Sequence, residues 1–109
     1  MEAGPDFTVT RTRVGDATIV APHGEIDLAT VDRVGEAVLA VHADSDGQIV
    51  LDLREVAFID STGIRLVVQL ARDLDGRFAV VRGSGEVARV FDLVGLDGRV
   101  RMLDTPPES

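Results

Sequence analysis

The 109-residue chain has no cysteine, tryptophan or tyrosine, and no lysine or asparagine either. Without cysteine there is no disulfide framework, thiolate nucleophile or zinc knuckle, and without lysine there is no Walker-type phosphate loop and no Schiff base. Aromatic residues make up 4% of the chain, all of them Phe, too few to stack single-stranded nucleic acid. Positive charge is scarce as well: 11 Arg face 19 acidic residues, a net charge of -8. Such a surface repels phosphate backbones and anionic lipids, which excludes generic nucleic-acid and membrane binding and leaves a protein partner. The longest apolar stretches reach about five residues, as in Ala37 to Val41, against the roughly 20 a membrane helix needs. Residues 1–6 lack the basic and apolar segments of a secretory signal, so a cytoplasmic, monomeric protein is expected.

What is present suits one domain. The chain is 45% hydrophobic, and at this size about two-thirds of the unfolded surface can be buried. Phe7 to Arg13 alternates in the period of a strand, and Gly15-Asp16 turns it into a second, antiparallel strand over Ala17 to Ala21, which Pro22-His23-Gly24 ends. Leu28, Val31, Val34, Val38 and Val41 are spaced as one helix face, with Asp27 as the N-cap and an end near His42. Ile49 to Leu53 and Phe78 to Val81 are short apolar runs of the kind found in strands buried on both faces. Between them, Asp60-Ser61-Thr62-Gly63 leads into a second helix carrying Ile64, Leu66, Val67, Leu70, Ala71 and Leu74. Val87, Val90, Phe91 and Val94 mark a third helix ending at Gly95, and Val100 to Leu103 reads as a last strand. The expected architecture is α/β: a single domain over residues 7–104 with a mixed, mostly parallel sheet of about five strands opened by a hairpin, and three helices. Residues 1–6 and 105–109 read as flexible ends.

The residues offer several candidate chemistries. Gly83-Ser84-Gly85-Glu86-Val87-Ala88 fits a dinucleotide fingerprint, with Asp104 about 20 residues on, but no further strands follow to form the cofactor crevice; glycines relieving a tight turn, with Ser84 or Gly85 capping a helix, account for it. His23 and His42 lack metal-ligand spacing, so no metal and no cofactor is expected. A Ser61, His23, Asp27 hydrolase triad lacks its Gly-x-Ser-x-Gly elbow, so no catalytic residue is assigned. Asp-Ser before a helix also occurs in acyl carrier proteins, but those are helical bundles and this motif is flanked by strands. A serine at a helix start is most simply a cap. Here, however, it lies at the carboxyl side of a buried sheet, where free N–H groups tolerate an added phosphate.

With Gly24-Glu25-Ile26-Asp27, Leu51-Asp52-Leu53 and Phe58-Ile59-Asp60-Ser61-Thr62-Gly63-Ile64 in this order, and a weaker echo over Val87 to Leu96, the chain resembles the STAS domains, and among them the bacterial anti-sigma factor antagonists. The resemblance implies that Ser61 accepts a phosphate from an anti-sigma factor that is itself a serine kinase. It implies that only the unmodified form binds that partner and releases a sigma factor, and that a serine phosphatase resets Ser61. Asp27 and Asp60 match acidic family positions flanking the serine. The partner-binding face would comprise Gly24, Glu25, Asp27, Asp60, Ser61, Thr62, Gly63, Ile64 and Arg65. A STAS subunit of a larger signalling or lipid-transport assembly, without a phosphoswitch, is the alternative.

Overall fold

The computed structural model describes residues 7–108, the side chain of Asp97 excepted; the segment 1–6 and Ser109 lie outside the described residues. The hairpin forms where the sequence places it. Strands β1 (Thr8–Val14) and β2 (Ala17–Ile26) pair from Val14↔Ala17 back to Thr8↔His23, and Gly15 turns between them at φ +61°, a conformation that a two-residue hairpin loop demands and glycine adopts freely.

The second strand does not stop at Pro22 but runs on to Ile26. Its parallel neighbour is β3 (Gln48–Asp52) over Ala17 to Val20 and β4 (Val56–Ile59) over Gly24 to Ile26. Pro22 falls in the gap between these two ladders, so its missing N–H removes a bond from neither.

Strand β4 is the element the sequence reading lacks. Its four residues carry the buried pattern only at Val56 and Ile59, too short a signal to separate from the polar cluster that follows. The chain reaches it by a turn after β3, where the buried Asp52 carboxylate accepts the Arg54 backbone N–H at 3.0 Å and pairs with its guanidinium, and Val56 N–H donates to Leu53 C=O at 3.1 Å. Six strands result, in the order β1-β2-β3-β5-β6, with β5 Phe78–Val81, β6 Met102–Leu103 and β4 attached to β2 alone. All pairs are parallel except the hairpin.

Three α-helices complete the fold: α1 (Val31–Asp44), α2 (Ser61–Leu74) and α3 (Gly85–Val94). Val34, Val38 and Val41 of α1 and Val67, Leu70 and Leu74 of α2 join Val20, Ile49, Leu51, Phe78 and Val80 of the sheet in one buried cluster. The first helix starts at Val31, not at Leu28, and its N-cap is Thr30, not Asp27. Residues 27–30 form a turn instead, and Leu28 projects from it 79% exposed. The third helix ends as the sequence predicts, with Gly95 left-handed at φ +64° and its N–H on Phe91 C=O. Ser84 takes the N-cap place of α3 but makes no capping bond. Gly83 serves packing, since a Cβ there would stand 2.7 Å from the Leu53 carbonyl oxygen. Gly85, at φ +60°, holds a backbone conformation that side chains rarely adopt, so each fingerprint glycine has a structural reason. No described helix is long and apolar enough to cross a membrane.

Candidate functional site: the turn at the head of the second helix

Parallel strands place their carboxyl ends at the same edge of a sheet, and β2 and β4 are paired through Glu25↔Phe58 and Ile26↔Ile59. The ladder continues one residue further, as Asp60 N–H donates to Ile26 C=O at 3.1 Å. The two segments singled out in the sequence, Gly24 to Asp27 and Asp60 to Arg65, are thereby brought side by side. Gly24 sits at an irregularity of this ladder with φ +123°, its N–H on Glu55 C=O at 3.2 Å. A Cβ there would be strained and would approach Phe7 Cδ1 to 3.1 Å, so Gly24 supports the fold of the site rather than offering a side chain.

Each half of the site is held by its own hydrogen bonds. In the 27–30 turn, Asp27 Oδ1 accepts Ala29 N–H at 3.0 Å. Thr30 Oγ1 accepts Asp27 N–H at 3.0 Å and donates to Glu25 C=O at 2.7 Å. Thr30 is buried and was not legible as a site residue; the Asp-x-x-Thr spacing is the signal that could have found it, as a side chain closing its own turn.

In the second half the N-cap of α2 is Asp60. Its Oδ1 accepts Thr62 N–H at 2.9 Å and Gly63 N–H at 3.3 Å, and the Thr62 hydroxyl donates to the same oxygen. Ser61 is therefore the first residue of the helix rather than its cap, and it is exposed. Of two adjacent hydroxyls, Thr62 is engaged by Asp60 and half-buried, while Ser61 takes no part in that network. Gly63 is buried against the strands: a Cβ there would meet Ile59 Cγ1 at 2.5 Å and Ile26 Cγ2 at 2.8 Å. Ile64 packs its partly buried side chain against the core, and Arg65 is exposed.

The Thr62 hydroxyl, reinforced by the Gly63 and Thr62 N–H groups, holds the Asp60 carboxyl below the usual carboxylate range, with burial acting the other way. A carboxyl whose pKa is lower folded than unfolded stabilises the fold above its unfolded value near 4, and that stabilisation is lost as pH falls through the lowered folded value. Asp60→Ala is expected to cost about 1 kcal/mol at pH 7 by loss of the cap, and Asp60→Asn less, because an amide oxygen still accepts the N–H groups. Thermal melts of wild type and Asp60→Asn should converge as pH drops below about 4; a constant gap down to pH 3 contradicts the ionised cap.

His23 lies within β2 and, among the described residues, makes no hydrogen bond to Ser61 or Asp27, whose Oδ1 accepts from the Ala29 N–H and the Thr30 hydroxyl. Among the described residues no cluster of His, Asp and Glu has the arrangement of a metal site. A polar groove of about 630 Å³ lies at the opposite end of the sheet, lined by Asp16 ahead of β2 and Gly47 ahead of β3. It shares no residue with the turn.

A mostly parallel sheet opened by a hairpin and packed against helices is the architecture of a STAS domain. The chain belongs to that family, whose sequence signature matches residues 8–108. It is similar to the anti-sigma-F factor antagonist RsfB of Mycobacterium tuberculosis, 31% identical over 107 residues that cover 96% of this chain and 88% of that protein. It is also similar to the anti-sigma-B factor antagonist of Staphylococcus aureus, 30% identical over 67% of this chain and 70% of that one. Among solved structures, an anti-sigma factor antagonist from Mycobacterium paratuberculosis superposes with a TM-score of 0.83 at 30% identity, over 96% of this chain and 92% of that one. The unphosphorylated form of SpoIIAA, at 23% identity and a TM-score of 0.68 over 89% of this chain and 87% of that one, shares the fold.

Proposed function

We propose that the chain is an anti-sigma factor antagonist whose partner is an anti-sigma factor serine kinase. The unmodified protein binds the kinase through the Gly24 to Asp27 segment and the Asp60 to Arg65 turn, and so releases a sigma factor. The kinase then transfers the γ-phosphoryl group of ATP to Ser61: the Ser61 oxygen forms the new P–O bond, ADP leaves, and the hydroxyl proton is lost. A serine phosphatase restores the hydroxyl by hydrolysis. The chain itself acts by binding, not by catalysis.

One observation carries the choice of residue. Ser61 is exposed, whereas its neighbour Thr62 has its hydroxyl committed to the carboxylate that caps the helix. Phosphorylating Thr62 would cost that bond and bring a dianion against Asp60; phosphorylating Ser61 leaves the cap intact. That the relatives are antagonists of anti-sigma factors supports an anti-sigma factor as the partner.

The test is incubation with an anti-sigma factor kinase encoded in the same genome and ATP, followed by peptide mapping. Phosphate is expected on Ser61, and Ser61→Ala is expected to take up none. Phosphate on Thr62, or none on either residue with an active cognate kinase, would sink the assignment. Affinity capture with Ser61→Ala as bait separates the alternatives, since transporter subunits in place of a kinase-fold protein favour the assembly role.

A further inference from the structure

Arg65 stands four residues after Ser61 on α2, and both are exposed. Side chains four apart share one helix face with Cβ atoms about 5–6 Å apart, and an anion placed N-terminal to the cation is the favoured order. The helix gives Arg65 no carboxylate of its own: the residues three and four positions away are Ser61, Thr62, Val68 and Gln69. None of the ion pairs among the described residues, Arg11 with Asp44, Arg54 with Asp52 and Arg82 with Asp92, involves it. Asp60, the nearest acid in sequence, turns its Oδ1 toward Thr62 and Gly63.

We propose that Arg65 is the intramolecular partner of a phosphate on Ser61, so that modification withdraws its guanidinium from the partner-facing surface while adding negative charge to it. The functional half rests on the antagonist reading above; the pairing is a property of the phosphorylated chain. Phosphorylation then changes the surface twice over. The partner meets a new anion and loses a cation that faced it before. A planar guanidinium can hold two phosphate oxygens at once, which a lysine cannot.

The experiment uses the full chain with phosphoserine installed at position 61 during translation, so that no kinase is needed. The second ionisation of the phosphate is followed by phosphorus NMR in three backgrounds: wild type, Arg65→Gln and Arg65→Lys. Other charged groups near the turn also act on this ionisation: Glu25 and Asp27 on the adjoining segment, Asp60, and Asp32, Arg33 and Glu36 of the α1 helix packed against α2. They are common to the three chains, so the differences isolate residue 65. The midpoint is expected to lie about half a pH unit lower in wild type than in Arg65→Gln, with Arg65→Lys between them, and the difference should shrink in high salt. Coincident midpoints overturn the pairing. In parallel, unmodified Arg65→Gln is expected to bind the kinase several-fold more weakly than unmodified wild type. Unchanged affinity there overturns the withdrawal, even if the pairing stands. A shifted midpoint in a chain whose Ser61 the active kinase leaves unmodified instead overturns the antagonist switch.

Discussion

Phosphorylation of Ser61 is expected to weaken binding to the anti-sigma factor kinase by a hundredfold or more, and Ser61→Asp by at least tenfold, while the melting curve of the free protein stays in place. The fold tolerates the charge because Ser61 is the first residue of α2 and exposed. An anion in the first helical turn is favoured by about 0.3–1 kcal/mol, which offsets its repulsion from an Asp60 already engaged by N–H groups. An interface has no such relief. An acidic group of the partner at about 5 Å, with an effective dielectric near 20, meets roughly 3 kcal/mol of repulsion per charge pair. A phosphate carries about 1.5 to 2 charges and must also shed water. Each 1.4 kcal/mol is about tenfold in affinity, so even half of this sum reaches a hundredfold for phosphate. Titration calorimetry with purified kinase, alongside thermal melts, checks both halves. Wild-type affinity in Ser61→Asp together with wild-type affinity in the phosphorylated chain refutes the switch.

Gly63→Ala is expected to destabilise the protein by about 2 kcal/mol and to impair partner binding as well. On helix propensity alone the change would gain up to about 1 kcal/mol. The added methyl, however, would fall 2.5 Å from Ile59 Cγ1 and 2.8 Å from Ile26 Cγ2, atoms close to the backbone of two buried strand residues. Forcing an extra carbon into such a site costs typically 1–3 kcal/mol and more when neither neighbour can turn away. Relief requires the head of α2 to lift from the end of β2 and β4, which carries Asp60 and Ser61 with it. The melting temperature should fall by roughly 10 °C, and kinase binding should weaken even in a Ser61→Ala background. A chain as stable as wild type shows instead that the helix start can slide without strain.

The hairpin, the two central strands and the third helix were legible because each has a local cause: a glycine at a tight turn, an unbroken apolar run, a glycine at a helix end. Leu28 misled because its spacing from Val31 fits a helix face, while the Asp27 and Thr30 side chains offer the backbone a competing turn that periodicity does not register. Strand β4 was invisible for a related reason, since four residues with two buried positions acquire their pattern only from the strand beside them. Of the candidate site, the position of Asp60 to Gly63 at the head of a helix was legible. The roles of these residues were not: that Asp60 caps, that Thr62 is committed and that Gly63 is a contact surface follow from distances no spacing rule contains.

The division of β2 between two neighbours also bears on how such a protein can diverge. Its first half answers to β3 and the core, its second half to β4 and the turn, and Pro22 separates them. Ile49, Leu51 and Phe78 are buried and constrained by volume, whereas Glu25 and Ser61 are exposed and free of that constraint. On the antagonist reading proposed above, duplicated copies of such a gene can acquire new partners by changing the exposed positions at one end of a strand while inheriting the buried scaffold, which would insulate parallel lines of partners from one another without rebuilding the fold.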